Sequence, residues 1–217
     1  MVARPSRCLA WSRADPFGGE FVEVRVMEDR IGAIGVALGS APLPYRLDYT
    51  LETRAEFVSE NLVVSVRGDG WKRTLNLHQT HSGSWKASYE EEGVRQVPLQ
   101  RIVTDASGLA GALDVDLGLS PLFNTMPVIR HGLNRHGRFD FIMAWVSVPD
   151  LTVHRSPQRY SFVRALDQGL SVVRFESLAG DGFVADLTYD AEGFVIDYPG
   201  IGRRIGLLDG ASTTPSS

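Results

Sequence analysis

The chain has 217 residues, a formal net charge of −4 and a hydrophobic fraction of 43%, which is the composition of an ordinary globular protein. The negative charge disfavours generic nucleic-acid binding, and the single cysteine, Cys8, excludes an internal disulfide bond and a cysteine-rich metal site. No apolar run approaches the roughly 20 residues that span a bilayer, so we predict no stable membrane insertion. The N-terminal segment lacks the apolar core of a signal peptide, and we predict a cytoplasmic protein.

Alternation of apolar and polar residues predicts β-strands through the first ninety residues, each bounded by turn signals. Cys8 falls before the first of them, in an N-terminal region that we predict to be flexible. The segment Arg67-Gly68-Asp69-Gly70 is typical of a hairpin turn between two of the strands. Strands are predicted over residues 21–26, 31–38, 45–51, 62–66, 71–77 and 85–89.

A change of period marks the middle of the chain. Residues 113–117 alternate as a strand, with the apolar residues on one face and Asp114 and Asp116 on the other. Ser120-Pro121 then predicts a helix start, a hydroxyl N-cap followed by a proline at the first helical position. Pro127 predicts a kink or a break, because proline removes one intrahelical hydrogen bond. The buried stripe of this helix, Ser120 to His131, is predicted from Leu122, Phe123, Met126, Ile129 and Leu133.

Strand patterns resume after the helix. Residues 139–148 are too apolar for a strand with one solvent face, so we predict a central strand that is buried on both faces. Further strands are predicted over residues 160–165, 170–177, 183–189 and 194–198. The sequence therefore predicts an all-β protein with one helix, as a single domain of residues 1–208, and a disordered tail, 209–217.

Few residues form a pattern that is typical of catalysis or metal binding. His78 and His81 have a spacing that could suit zinc, but they fall on opposite faces of a strand-to-turn region and have no obvious third ligand. Asp114-Val115-Asp116 has the DxD form that holds a divalent ion in sugar transfer, and equally the form of an ordinary polar strand face. No serine lies in a nucleophile elbow and no glycines form a phosphate loop. We predict neither a metal nor a cofactor.

Arginines near aromatic residues and turns form a more suggestive set, because a guanidinium group can bind phosphate or carboxylate through two hydrogen bonds. The alternative is that they pair with some of the 26 acidic residues. One specific hypothesis is that Asp114 or Asp116 pairs with Arg203 or Arg204. The set comprises Arg130, Arg135, Arg138, Arg155, Arg159, Arg203 and Arg204.

Several blocks of the chain resemble, in the same order, those of the bacterial putative glycolipid-binding family. The blocks are LAGALDVDLG at residues 109–118, Ser120-Pro121, Asn124-Thr125 with Pro127, Ala144-Trp145-Val146 with Pro149, Gln158 and Tyr160, and Asp197-Tyr198-Pro199-Gly200 with Arg203-Arg204. The resemblance covers most of the chain, from about Ala10 to Arg204. Met126 departs from the pattern, where leucine would be expected.

The resemblance implies a spiral β-roll, in which a long, strongly bent antiparallel sheet wraps around the helix. It also implies a likeness in shape to lipoprotein carriers and a tendency to form homodimers. We therefore predict non-catalytic binding of a glycolipid or another anionic amphiphile. A curved sheet offers a concave apolar surface for acyl chains, and arginines at its rim can hold an anionic head group. The residues that we predict to bind the ligand are Asp114, Asp116, Asn124, Arg130, Trp145, Tyr198, Arg203 and Arg204.

Two alternatives remain open from the sequence. The first is a hydrolase or transferase acting on a sugar or lipid ester, with Asp114 and Asp116 as acid and base or as metal ligands. The second is a structural dimer without a ligand.

Overall fold

Fourteen strands form one long sheet in the part of the chain that the computed structural model describes, which is residues 6–93, 99, 106–180 and 182–206. The strands are β1 (Arg7–Arg13), β2 (Gly18–Val26), β3 (Ile31–Gly39), β4 (Tyr45–Thr53), β5 (Ser59–Gly68), β6 (Trp71–Gln79), β7 (Trp85–Gly93), β8 (Asp114–Leu117), β9 (Arg138–Val146), β10 (Val153–Ala165), β11 (Ser171–Ser177), β12 (Val184–Tyr189), β13 (Val195–Tyr198) and β14 (Gly202–Arg204). One helical segment combines a 3-10 turn, Pro121–Asn124, with the α-helix α1, Thr125–His131. Short 3-10 turns also occur at Ala55–Phe57, Ser107–Leu109 and Asp167–Gly169. The predicted tail, 209–217, lies outside the described residues.

The sheet is built from two meanders that meet in its centre. Strands β1 to β7 run outward in chain order on one side, and β14 back to β8 run outward on the other. The meanders join through β1 and β14, where Trp11 is paired with Arg204. Neighbouring strands are antiparallel, except that β8 and β9 are parallel. The edge strand β8 returns to the start of β5, where the Ser59 N–H donates to the Leu113 carbonyl at 3.2 Å. The sheet therefore wraps as a spiral β-roll, and the predicted fold class is confirmed.

The core fills the space between the concave face of the sheet and the helix. Leu122, Phe123 and Met126 are buried in the larger cluster of apolar side chains, beneath strands β1 to β7. Val128 and Leu133 belong to a second cluster, which packs against β9 to β13. The helix thus supplies side chains to both halves of the roll. The predicted stripe is confirmed, although Ile129 is only half-buried.

The glycines in β3, which weaken its strand character in the sequence, leave space for tyrosine rings. Gly35 is paired with Tyr49 of β4, and a Cβ atom on Gly35 would lie 2.2 Å from the Tyr49 ring. Gly39 is paired with Tyr45 in the same way. A side chain at either glycine would therefore displace a buried aromatic ring.

The helix begins differently from the prediction. Ser120 occupies the N-cap position, but its hydroxyl does not cap the helix and instead donates to Glu20 Oε1 at 2.6 Å. Pro127 is the third residue of α1, in the first turn, where a backbone N–H has no intrahelical acceptor. It therefore costs no helical hydrogen bond, and the change of geometry comes earlier, where the 3-10 turn meets α1.

Three expectations about strands were wrong. Cys8 does not precede the first strand, because Arg7–Arg13 forms β1 in the middle of the sheet. In β8 the prediction of one apolar and one polar face was wrong. Leu113, just before the strand, is 45% exposed, whereas Asp114 and Asp116 are buried. Strand β9 lies next to the sheet edge, and its first three residues are exposed.

Glu20 is a buried carboxylate on the inner face of β2. Its Oε1 atom accepts hydrogen bonds from the Tyr49 hydroxyl at 2.5 Å and from Ser120, and its Oε2 atom is buried without a partner among the described residues. Burial raises the pKa of Glu20 to about 7. The cluster joins β2, β4 and the start of the helix.

Truncation of Phe123 tests the position of the helix. Because Phe123 is completely buried, Phe123→Ala should lower the free energy of unfolding by about 3–5 kcal/mol. Phe139→Ala is the matched control, because Phe139 is 44% exposed, and it should cost less than about 1 kcal/mol. Urea denaturation of the two variants measures both values, and equal losses would contradict this packing.

The pKa of Glu20 predicts a pH dependence of stability. A carboxyl group with a raised pKa stabilises the folded state when protonated, so its contribution is complete below about pH 4.5 and is lost as the pH rises through about 7. Glu20→Gln should therefore raise the free energy of unfolding at pH 8 by roughly 1–3 kcal/mol and leave it nearly unchanged at pH 4.5. Glu23→Gln, on the outer face of the same strand, is the control. Unfolding curves across this pH range would contradict the prediction if the Glu20 variant followed the wild type.

Candidate functional site

A cavity of about 520 Å³ opens at the N-terminal end of the helix, between the segment that follows β8 and strands β9, β10, β11 and β13. Its walls combine aromatic rings with hydroxyl, amide and charged groups. Such a volume and lining are typical of a small-molecule binding site. The chemically distinctive lining residues are Asp116, Ser120, Asn124, Trp145, Ser147, His154, Arg155, Ser156, Gln158, Phe175, Phe183 and Tyr198.

Asp116 supplies a buried carboxylate to this cavity. Its side chain comes from β8 and is 8% exposed. One of its oxygens, Oδ2, accepts a hydrogen bond from Gln158 Nε2 at 2.7 Å, and the other has no hydrogen-bond partner among the described residues. Burial raises the pKa of Asp116 to about 6. The carboxyl group is therefore mostly ionised at neutral pH and has a free acceptor for a ligand.

Buried tyrosines orient the amide groups beside Asp116. The Tyr160 hydroxyl donates to Asn124 Oδ1 at 2.8 Å and lies 3.3 Å from Gln158 Oε1. The Tyr189 hydroxyl donates to the Asn124 carbonyl at 3.3 Å. Desolvation raises the pKa of both tyrosines well above 10, so both hydroxyls remain protonated donors. The amides of Asn124 and Gln158 are thus held in fixed orientations.

Aromatic rings form two sides of the cavity. On one side Phe175 lies 5.8 Å from Phe183 and 6.2 Å from Tyr198, measured between ring centroids. On the other side the Trp145 ring lies 5.6 Å from the ring of His154. Ring faces of this kind bind the apolar faces of ligands while the polar groups between them fix the orientation.

The rim is polar and carries one positive charge. His154 and Arg155 are exposed, and Arg155 is the one arginine or lysine among the described residues that line the cavity. His154 Nε2 lies 2.9 Å from the Thr152 hydroxyl, which in turn lies 2.6 Å from the Ser147 hydroxyl. This chain of contacts through Thr152 to Ser147 therefore fixes the position of the His154 ring.

The structure brings four of the eight predicted ligand residues together. Asp116, Asn124, Trp145 and Tyr198 all line the cavity. The other four, Asp114, Arg130, Arg203 and Arg204, do not line it.

Asp114 and Arg130 form a buried ion pair away from the cavity. Two guanidinium nitrogens of Arg130 donate to the two oxygens of Asp114 at 2.6 and 2.7 Å. Arg130 also donates to the carbonyls of Glu56 at 2.7 Å and Phe57 at 2.8 Å. The hypothesis that Asp114 is paired internally holds, but its partner is Arg130.

The two C-terminal arginines have different surroundings. Arg204 is buried, donates to Asp190 at 2.7 Å and lies over the Trp11 ring, 5.7 Å from its centroid. Arg203 is exposed on β14 and is paired across the sheet with Asp197. The predicted pairing of Arg203 or Arg204 with Asp114 or Asp116 was therefore wrong. The sheet register places both arginines beside β1 and β13 instead.

Several cavity residues were not predicted as ligand-binding, among them Gln158, His154, Phe175 and Phe183. A signal existed for Gln158, because it is a polar residue at an inward position of β10, two residues before the buried Tyr160. Nothing in the sequence distinguishes the two phenylalanines from core residues.

No group of three or more His, Cys, Asp and Glu residues in the described part of the chain is arranged to hold a metal ion. His78 and His81 are both exposed. In the same part of the chain, no helix is long and apolar enough to cross a membrane.

Removal of one partner from the buried ion pair should be strongly destabilising. Asp114→Asn leaves the Arg130 charge buried without a counter-ion, so the free energy of unfolding should fall by about 3–5 kcal/mol. The exposed pair of Arg159 and Asp140 has similar two-pronged geometry, and Asp140→Asn should cost less than about 1 kcal/mol. Chemical denaturation compares the two, and a small loss for Asp114→Asn would show that the pair is not a structural requirement.

The fold and sequence of the chain are similar to those of a solved structure. A crystal structure at 1.80 Å resolution of a DUF1089 family protein from Pseudomonas aeruginosa has a TM-score of 0.63 and 29% sequence identity, over 86% of this chain and 92% of that chain. No protein of curated description matches the chain. The family described as Putative glycolipid-binding matches residues 8–204. The chain therefore belongs to the putative glycolipid-binding family.

Proposed function

We propose that this protein binds a glycolipid, or a related anionic amphiphile, without catalysis, and that the head group of the ligand occupies the cavity that contains Asp116. The observation that carries this proposal is the combination, in one cavity, of aromatic walls with a buried carboxylate that has a free oxygen. Family membership supports a binding role for the chain.

A sugar ring fits the chemistry of this cavity. A sugar presents C–H groups on its faces and hydroxyl groups on its edge, so it needs ring faces and oriented hydrogen-bonding groups together. Trp145 and Tyr198 offer the ring faces. Asp116 accepts hydrogen bonds from hydroxyl groups, and the Asn124 amide can both donate and accept. The Gln158 NH2 group is engaged by Asp116 and Ser156 and so orients the carboxylate.

An anionic group on the sugar would lie near Arg155. The arginines predicted to hold the head group, Arg130, Arg203 and Arg204, do not line the cavity, whereas Arg155 does. Because Arg155 is exposed at the rim, its attraction for a phosphate group should be modest and should weaken with salt. Discrimination among sugars would then come from the buried groups.

The alternative of a hydrolase or transferase has less support. Retaining and inverting glycosidases mostly use two carboxyl groups on either side of the bond that breaks. Asp116 is the one carboxylate among the described residues that line the cavity, and Asp114 is held by Arg130. The arrangement favours binding over acid and base catalysis with Asp114 and Asp116.

A homodimer is a second candidate role, with or without a ligand. Phe21 of β2 and Ile34 and Leu38 of β3 are exposed large apolar side chains on the outer face of neighbouring strands. Such a surface favours association. Light scattering after size exclusion should give a dimer mass for the wild type and a monomer mass for Ile34→Asp. A monomeric wild type at 50 µM or above, roughly the range of moderate affinity, would reject this role.

Binding of short-chain sugar amphiphiles tests the main proposal. Octyl glucoside and its 6-phosphate, below their micelle concentrations, should quench tryptophan fluorescence saturably, because Trp145 is the tryptophan that lines the cavity. The phosphate form should bind more tightly at low salt, and Arg155→Ala should remove that advantage without affecting octyl glucoside. Absence of saturable quenching with both compounds would reject the proposal.

Asp116→Asn is the sharper variant for the same titration. It should weaken the binding of both compounds by roughly tenfold or more at pH 7.5, because the neutral amide replaces a charged acceptor. Wild-type affinity should fall as the pH drops below about 6, where Asp116 becomes protonated, and the variant should lose this dependence. The raised pKa means that ionised Asp116 destabilises the fold, so the variant should be at least as stable as the wild type at pH 7.5. Lost binding with intact folding then isolates the role of the carboxylate.

A further inference from the structure

A second cavity, of about 470 Å³, opens at the C-terminal end of α1. We infer that this cavity is a separate ligand site that takes an unbranched aliphatic chain whose head group carries no net charge. It shares no lining residue with the cavity of Asp116, which lies at the other end of the helix. The inference goes beyond the proposed function, which makes no use of this second cavity.

The walls of the second cavity are apolar and come from distant parts of the chain. Val26 ends β2 and Met27 follows it, Ile129 comes from α1, and Phe57 and Phe194 come from turns on either side. Met27 is 43% exposed, and an unbranched thioether side chain adapts readily to an apolar chain. An apolar surface of this extent, left open to water, is favourable for burying methylene groups.

The Phe57 wall is held in place by the buried ion pair. Glu56 and Phe57 have φ angles of 61° and 57°, a left-handed conformation that is rare for such residues. Arg130, paired with Asp114, donates to the carbonyl groups of both. The Phe57 N–H also donates to the Asp29 carbonyl at 2.9 Å. Strained backbone persists only where its surroundings fix it, so the cavity wall is preformed.

The charges at the rim decide the kind of head group. The lining includes two arginines, Arg7 and Arg135, and two glutamates, Glu28 and Glu192, so it carries no net charge. Arg7 pairs with Glu192 and its guanidinium lies 5.1 Å from the centroid of the Phe194 ring. A charged head group would therefore gain little over a neutral or zwitterionic one. Selectivity should come from the length of the chain.

Decylphosphocholine is a suitable probe, because it has an aliphatic chain, no net charge and no sugar. With the methionine methyl groups labelled with ¹³C, the Met27 signal should shift saturably below the micelle concentration. The signals of Met126 and Met143, which are completely buried in the two core clusters, should shift much less. Hexylphosphocholine should bind roughly a hundredfold more weakly, because it lacks four methylene groups. Absence of a saturable Met27 shift would overturn the inference.

A substitution that blocks the second cavity tests whether decylphosphocholine binds there. Ala191 is an exposed residue that lines this cavity in the turn between β12 and β13. Ala191→Phe should fill the opening and weaken the binding of decylphosphocholine at least tenfold. Ala191→Ser is the control and should leave that binding unchanged. Both variants should retain wild-type quenching by octyl glucoside 6-phosphate, which separates this site from the proposed sugar site. If Ala191→Phe bound decylphosphocholine as tightly as the wild type, the assignment of the binding site to the second cavity would be wrong. Tighter binding of decyl sulfate, by tenfold or more, would overturn the assignment of an uncharged head group.

Discussion

The buried ion pair of Asp114 and Arg130 is the interaction on which the rest of the structure depends. Asp114 begins the edge strand β8, and Arg130 lies near the end of α1. The pair therefore ties the edge of the sheet to the helix that the sheet encloses. Arg130 also reaches the turn before β5 through two carbonyl groups, and the Ser59 hydroxyl of β5 accepts from the Val115 N–H at 3.2 Å. One guanidinium group thus joins the returning edge, the helix and the first meander.

This arrangement explains the position of the cavity that contains Asp116 and of the second cavity, at opposite ends of the helix. The middle of the helix is packed on both sides, by Phe123 and Met126 toward one meander and by Val128 toward the other. The two largest cavities among the described residues therefore lie where the helix begins and ends. Because both halves of the sheet are tied to the helix, the walls of both cavities are preformed, and a ligand can bind at either without a conformational change.

Two buried carboxylates show how the fold combines stability with a binding site. Glu20 and Asp116 both have raised pKa values because burial disfavours their charged forms. Glu20 holds the start of the helix, whereas Asp116 lines the cavity with one oxygen that has no hydrogen-bond partner among the described residues. A residue that costs stability in its ionised form and lines a cavity is the pattern expected of a binding residue.

The sequence by itself determined the fold class, the helix and four of the residues that line the candidate cavity, because these follow from local periodicity and from short blocks such as Asp197-Tyr198-Pro199-Gly200. It could not show that both faces of β8 are buried, since alternation distinguishes two faces of a strand but not what packs on each. Nor could it assign the partner of Asp114: Arg130 is 16 residues away and Arg204 is 90, and only the wrapping of the sheet brings one of them into contact. Both cavities likewise combine residues from strands far apart in the chain, so their lining was decided by the tertiary structure.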